Sequence, residues 1–168
     1  MNASADNVPL KQRMASSGFT LIELMVTIAV LAIIVGMAAP DINTQLANQR
    51  VKSTAATLAN ALKEAKVESI IRRQNVTVIY DANATPKTVT LRANNNNISS
   101  YTISEKSSVV QEISPSSVTN IVFRPDKTIA DGATVLYIVC DSGSTNETPR
   151  QVSLTRIGNV NTINAGRC

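Results

Sequence analysis

Residues 18–26 read Gly18-Phe19-Thr20-Leu21-Ile22-Glu23-Leu24-Met25-Val26, and no further charge follows until Pro40 has passed. From Phe19 to Ala39 the chain therefore offers 21 residues broken by one charge, Glu23. About 20 predominantly apolar residues span a bilayer as a helix, so the stretch is long enough to cross one. An ordinary secretory signal has a shorter apolar run, with its small-residue cutting site after that run. Here the small residues Ser16-Ser17-Gly18 stand before it. Glu23 needs an explanation, because an unpaired carboxylate drawn into hydrocarbon costs several kcal/mol. Cutting after Gly18 would supply a partner: Phe19 would gain a free amine four residues before Glu23. In a bundle of such helices one chain's carboxylate would neutralise its neighbour's amine.

Gly18-Phe19-Thr20-Leu21-Ile22-Glu23 resembles the prepilin peptidase motif of type IV pilins and type II secretion pseudopilins, with Gly before the cut, Phe after it and Glu fifth from the cut. Lys11 and Arg13 fit the basic leader, and Pro40 matches the proline that kinks the pilin helix. The resemblance implies cleavage between Gly18 and Phe19 by an inner-membrane aspartyl peptidase that also N-methylates Phe19. It further implies a single-pass inner-membrane protein of a Gram-negative bacterium, with a periplasmic head, that passes into an extracellular filament near its tip. Its partners are then the prepilin peptidase, the inner membrane before assembly, and other minor and major pilins.

From Asp41 the pattern becomes amphipathic. Val51, Ala55, Leu58, Leu62, Ala65 and Ser69 recur at spacings of three and four, while Arg50, Lys52, Lys63, Glu64, Lys66 and Glu68 fall elsewhere. A helix from Phe19 to Arg73 would run ~80 Å, too long to be enclosed by a domain of this size. After Gln74 short β-rich runs take over. Val76–Tyr80 and Thr88–Arg92 alternate around a hairpin loop at Asp81–Lys87, and Asn94–Asn97 reads as a turn cluster. Tyr101-Thr102-Ile103 begins another strand, Val118–Phe123 lies between Pro115 and Pro125, and Gln151–Ile157 alternates again. Ala133–Cys140 is the longest apolar run and predicts a central strand. The predicted fold is α+β: a leader at 1–18, a transmembrane helix at 19–41, its amphipathic continuation at 42–73, and a head at 74–168. The helix covers one face of an antiparallel sheet of roughly seven strands, a pilin roll.

Composition narrows the chemistry. With 43% apolar residues a core is within reach, but aromatics are only 3%, so it rests on Val, Ile, Leu and Ala. Histidine is absent, which excludes His-based triads, His metal sites and a histidine pH switch. No nucleophile motif, phosphate loop or metal-ligand spacing occurs, so neither enzyme activity, nor a cofactor, nor a metal is expected. Asp126 and Asp131 flank a turn and read as solvated turn residues rather than calcium ligands. Arg72-Arg73, the longest basic cluster, reads as a favourable helix end. Cys140 and Cys168 would be free thiols in a cytosolic protein; in an exported head they predict one disulfide, pinning the tail to the central strand.

Phe123-Arg124-Pro125, Gly132, the apolar strand, and Arg150-Gln151-Val152-Ser153-Leu154 with Gly158 resemble the GspH/FimT/FimU group of minor pseudopilins and minor pilins. Three roles follow from that resemblance: a structural minor pilin that initiates or caps a pilus, favoured and most FimU-like; a DNA-capturing pilin; and a type II secretion pseudopilin. DNA-binding relatives carry a C-terminal Gly-Arg-x-Arg motif, whereas this chain has Gly166-Arg167-Cys168 without the second arginine. Arg150, Arg156 and Arg167 are the arginines that would contact DNA phosphates. DNA is thus the disfavoured partner.

Overall fold

The computed structural model describes residues 18–168, with the side chains of residues 38–41 outside the described set. The leader expectation, Gly18 apart, lies outside the described residues, and the kink expected at Pro40 falls among those four positions. Contacts divide the chain into two units, one ending at Ala39 and one running Pro40–Cys168.

A single helix, α1, is assigned from Leu21 to Arg72. Its start is a Thr-x-x-Glu cap: the Glu23 N–H donates to Thr20 Oγ1 at 3.2 Å, which satisfies one of the unpaired donors of the first turn. Its end is a Schellman turn. Gln74 N–H donates to Ser69 O and Arg73 N–H to Ile70 O, both at 3.3 Å, with Arg73 in the left-handed region at φ 53°. The helix thus closes one residue before the predicted Arg73, because that residue supplies the reversal.

Eight strands follow: β1 (Val76–Asp81), β2 (Thr88–Ala93), β3 (Asn96–Thr102), β4 (Ser107–Ser114), β5 (Ile121–Phe123), β6 (Thr134–Asp141), β7 (Arg150–Leu154) and β8 (Val160–Asn164). They form two four-stranded antiparallel sheets, in the orders β3-β2-β1-β5 and β4-β6-β7-β8, rather than one sheet of about seven strands. The α+β class expected from the sequence is the one found. Two strands escape the sequence reading, β4 and β8. The asparagine run also splits. Asn94 and Asn95 take positive φ (47° and 66°), the pair of left-handed residues that a two-residue hairpin requires, so Asn96 and Asn97 must already pair with β2.

The amphipathic face reads as predicted. Val51, Ala55, Leu58, Leu62, Ala65 and Ser69 are all buried, together with Ala47, Ala59 and Ala61. All of these but Ala47 and Ser69 share one core with the inward positions of both sheets: Val76 and Val78 on β1, Val89 and Leu91 on β2, Val135, Tyr137 and Val139 on β6, and Val152 and Leu154 on β7. Alternation along each strand places these side chains on the helix side. In this aromatic-poor core, Tyr137 and Phe123 are the largest fully buried side chains.

Candidate assembly site

The N-terminal unit carries the first part of the site. Between Phe19 and Met37 every large apolar side chain is at least 50% exposed, from Val30 at 50% to Phe19 at 82%. Soluble monomers rarely show contiguous apolar surface on this scale, so it is built to be covered. Among the described residues no single helix is long and apolar enough to cross a membrane; Leu21–Met37 and Ile42–Arg72 meet the requirement only taken together. Gly18 and Phe19 precede α1 and are exposed, with open space around Gly18. Glu23 sits in the first turn, where a negative charge is favoured by the helix dipole.

In the head, polar pins fasten α1 to the sheets. Arg50 Nε donates to Asp141 Oδ2 at 2.6 Å and its Nη2 to Oδ1 at 3.1 Å, a two-pronged pair on a carboxylate with no exposed side-chain surface. The Arg50 guanidinium holds the Asp141 carboxyl below the usual carboxylate range, against the opposing effect of burial. Nearby, the Thr54 and Ser107 hydroxyls share a buried hydrogen bond of 2.8 Å. Further along, Ser69 donates within the helix and lies 3.1 Å from Arg124 O, and Lys66 Nζ donates to Gly158 O at 2.9 Å. Glu64 accepts from Tyr101 and Ser99 of β3. Periodicity assigns Arg50, Glu64 and Lys66 to the outer face; they reach the sheets because long polar side chains on the flanks of a helix bend inward. A carboxylate closing the apolar strand β6 was the available signal for the Arg50 partner, and Thr20-x-x-Glu23 was the signal for the cap.

Cys140 and Cys168 are joined as a disulfide, with a Cα–Cα distance of 6.0 Å, between the end of β6 and the segment after β8. Glu147 lies against the bridge, close enough to both sulfurs to suggest a ligand set, but the sulfurs are already bonded to each other. Asp126 is occupied within its own turn, accepting from Thr128 N at 2.9 Å and Thr128 Oγ1 at 2.6 Å; these bonds hold its carboxyl below the ordinary range. Asp131 adopts φ 58° inside a single 3-10 turn.

The three arginines considered for DNA do not form one cluster. Arg150 opens β7 and lines a groove beside α1. Arg156 lies past the other end of β7, where its carbonyl accepts from Ile129 N at 3.1 Å. Arg167 borders a cleft that also contains Asp141 and Glu147.

Residues 13–39 match the family model described as the prokaryotic N-terminal methylation motif. The fold is similar to that of the type IV minor pilin FimU of Pseudomonas aeruginosa, with a TM-score of 0.57 and 15% identity over 71% of this chain and 96% of that one. It is also similar to the minor pseudopilin EpsH from the type 2 secretion system of Vibrio cholerae, with a TM-score of 0.54 and 13% identity over 70% and 99% of the two chains. The chain thus joins a prepilin-type methylation motif at its N-terminal end to the fold of minor pilins and pseudopilins. No curated protein matches it. The methylation motif and the uncovered apolar helix stretch coincide from Phe19 to Met37.

Proposed function

We propose that the chain is a minor type IV pilin, a structural subunit that helps initiate or cap the filament. In this reading the prepilin peptidase cuts between Gly18 and Phe19 and N-methylates Phe19; residues 19–41 anchor the chain in the inner membrane with a periplasmic head and then pack into the filament core. The observation that carries it is the run of thirteen exposed large apolar side chains from Phe19 to Met37, directly after the cleavage motif. Such a surface is stable only against lipid or other helices. Glu23 pairs with a neighbour's new amine.

A second reading is favoured by the similarity to EpsH: a pseudopilin of a type II secretion filament. DNA capture has less support. Removing Lys11, Arg13 and Asp6 with the leader leaves 14 basic and 11 acidic residues, and the three candidate arginines are dispersed. Deleting the gene and scoring surface pili, secreted enzymes and DNA uptake in one strain separates the three roles. Loss of pili alone is the expected result. Intact-mass measurement of the membrane-purified protein tests processing, and a mature start other than methylated Phe19 would overturn the reading.

A further inference from the structure

One groove in the head combines small side chains with a cationic rim. It encloses about 390 Å³ between the outer flank of α1 and the β7–β8 edge. Its floor is made of alanines, Ala55, Ala56 and Ala59, which leave a gap beneath Thr162. Its rim is cationic, with Lys52 and Lys63 on the helix and Arg150 on β7, and no acidic residue lines it. Arg150 Nε is buried and has no hydrogen-bond partner among the described residues. A buried donor left unpaired is costly, so a ligand that satisfies it is rewarded.

Strand β8 forms the groove's outer wall, and its second edge is free among the described residues. It pairs with β7 alone and reads Val160-Asn161-Thr162-Ile163-Asn164, without charge or proline. Edge strands of soluble proteins are normally blunted against unwanted pairing. The other three edges here are: β5 has only three residues, β4 carries the exposed Glu112, and β3 pairs across an irregularity at Leu91/Arg92. The register also fixes the direction of the side chains. Val152, which is buried, lies opposite Thr162, so Thr162 faces the helix, and so do Val160 and Asn164.

We propose that an extended acidic segment of a neighbouring subunit adds as a strand to the free edge of β8 and places a carboxylate in the groove against Arg150, between Lys52 and Lys63. Strand addition takes affinity from main-chain hydrogen bonds and selectivity from pockets for alternate side chains. The alanine floor gives room for one such side chain, and the rim chooses its charge. A carboxylate paired with a partly buried arginine makes a strong charge-assisted bond. The inference rests on the filament-subunit reading, since it needs a second head beside the first.

The test uses the full chain in detergent and a labelled, blocked pentapeptide that alternates threonine and valine around a central glutamate, read by fluorescence anisotropy. The glutamate peptide is expected to bind, and the same peptide with central glutamine to bind at least about ten-fold more weakly. Arg150→Gln should reduce glutamate-peptide binding similarly. Ala56→Phe, an exposed position that leaves every charge in place, should block it by filling the floor. Equal binding of the two peptides, or no effect of Ala56→Phe, overturns the proposal. So does a short DNA duplex that binds more tightly than the peptide and is lost with Arg150→Gln, which would assign the groove to phosphate. Incorporation of the wild-type chain into sheared filaments is scored in parallel. Normal incorporation with no peptide binding sinks the groove and leaves the filament reading standing; absent incorporation with peptide binding does the reverse.

Discussion

Arg50 on α1 grips Asp141, the last residue of β6, through two hydrogen bonds of 2.6 and 3.1 Å, and Asp141 is the one buried carboxylate among the described residues. Removing the arginine leaves that charge without its main partner, and such losses are among the larger single-residue effects on stability. Arg50→Ala is expected to lower the thermal midpoint by ~5 °C or more. The pair also sets an acid limit. The Asp141 carboxyl titrates below its unfolded value of ~3.9, so its contribution is complete above about pH 4 and is lost as pH falls through the folded value. Thermal melts below about pH 4 should fall more steeply for the wild type than for Asp141→Asn.

Glu23→Ala should leave the protein membrane-bound with a folded head, yet poorly represented in sheared filaments. The Thr20 cap uses the Glu23 backbone N–H, not its side chain, so the substitution keeps the helix start. Glu23→Gln distinguishes pairing from local helix effects: it keeps size and loses charge, and it should also fail to assemble. Wild-type incorporation of either variant would refute the pairing.

The Cys140–Cys168 bridge closes a loop with a sequence separation of 28. Chain entropy alone makes a loop of that length worth ~3 kcal/mol. Cys140→Ser with Cys168→Ser should lower the unfolding free energy from a denaturant titration by that amount. Thiol labelling of the unreduced wild type should find no free cysteine.

Two backbone positions give opposite expectations. Gly158 has φ 70°, and a Cβ there would lie 2.8 Å from Lys127 O, so Gly158→Ala should be strongly destabilising. Arg73 holds φ 53° with a side chain that disfavours it. Arg73→Gly should raise stability by ~0.5–1 kcal/mol, seen as a rise of a few degrees in the melting midpoint.

The helix and its buried face were legible because burial imposes a period, and Val51 to Ser69 keep it without a fault. The β1–β2 hairpin was legible for the same reason, with Val76 and Val78 facing Leu91 and Ala93 across the ladder. Strand β8 was not: four of its five residues are exposed, so it carries no apolar alternation to read. Strand β4 alternates only weakly, Ser-Ser-Val-Val-Gln-Glu-Ile-Ser, and its place beside β6 depends on partners far along the chain, Thr134 to Asp141. The division into two sheets is likewise a matter of which strands become neighbours, and local patterning does not encode that. At the candidate site, the cleavage motif and the cysteines announce themselves by residue type. Lys52, Lys63 and Arg150 do not, because their meeting is made by the docking of α1 against β7 and β8.

The residues at the end of β6 also determine how the head bears tension. Asp141 is tied to the helix, and its chain neighbour Cys140 is tied covalently to Cys168, beyond β8. Strand β8 is therefore secured at both ends: through the turn to β7 on one side and through the disulfide on the other. A pull on β8 need not peel it from β7 one hydrogen bond at a time. The load passes through a covalent bond to Cys140, then through one peptide unit to the carboxylate that Arg50 holds. The outermost strand of the sheet is thereby coupled to the helix by a short, stiff path, so this head resists being unzipped from its most exposed edge.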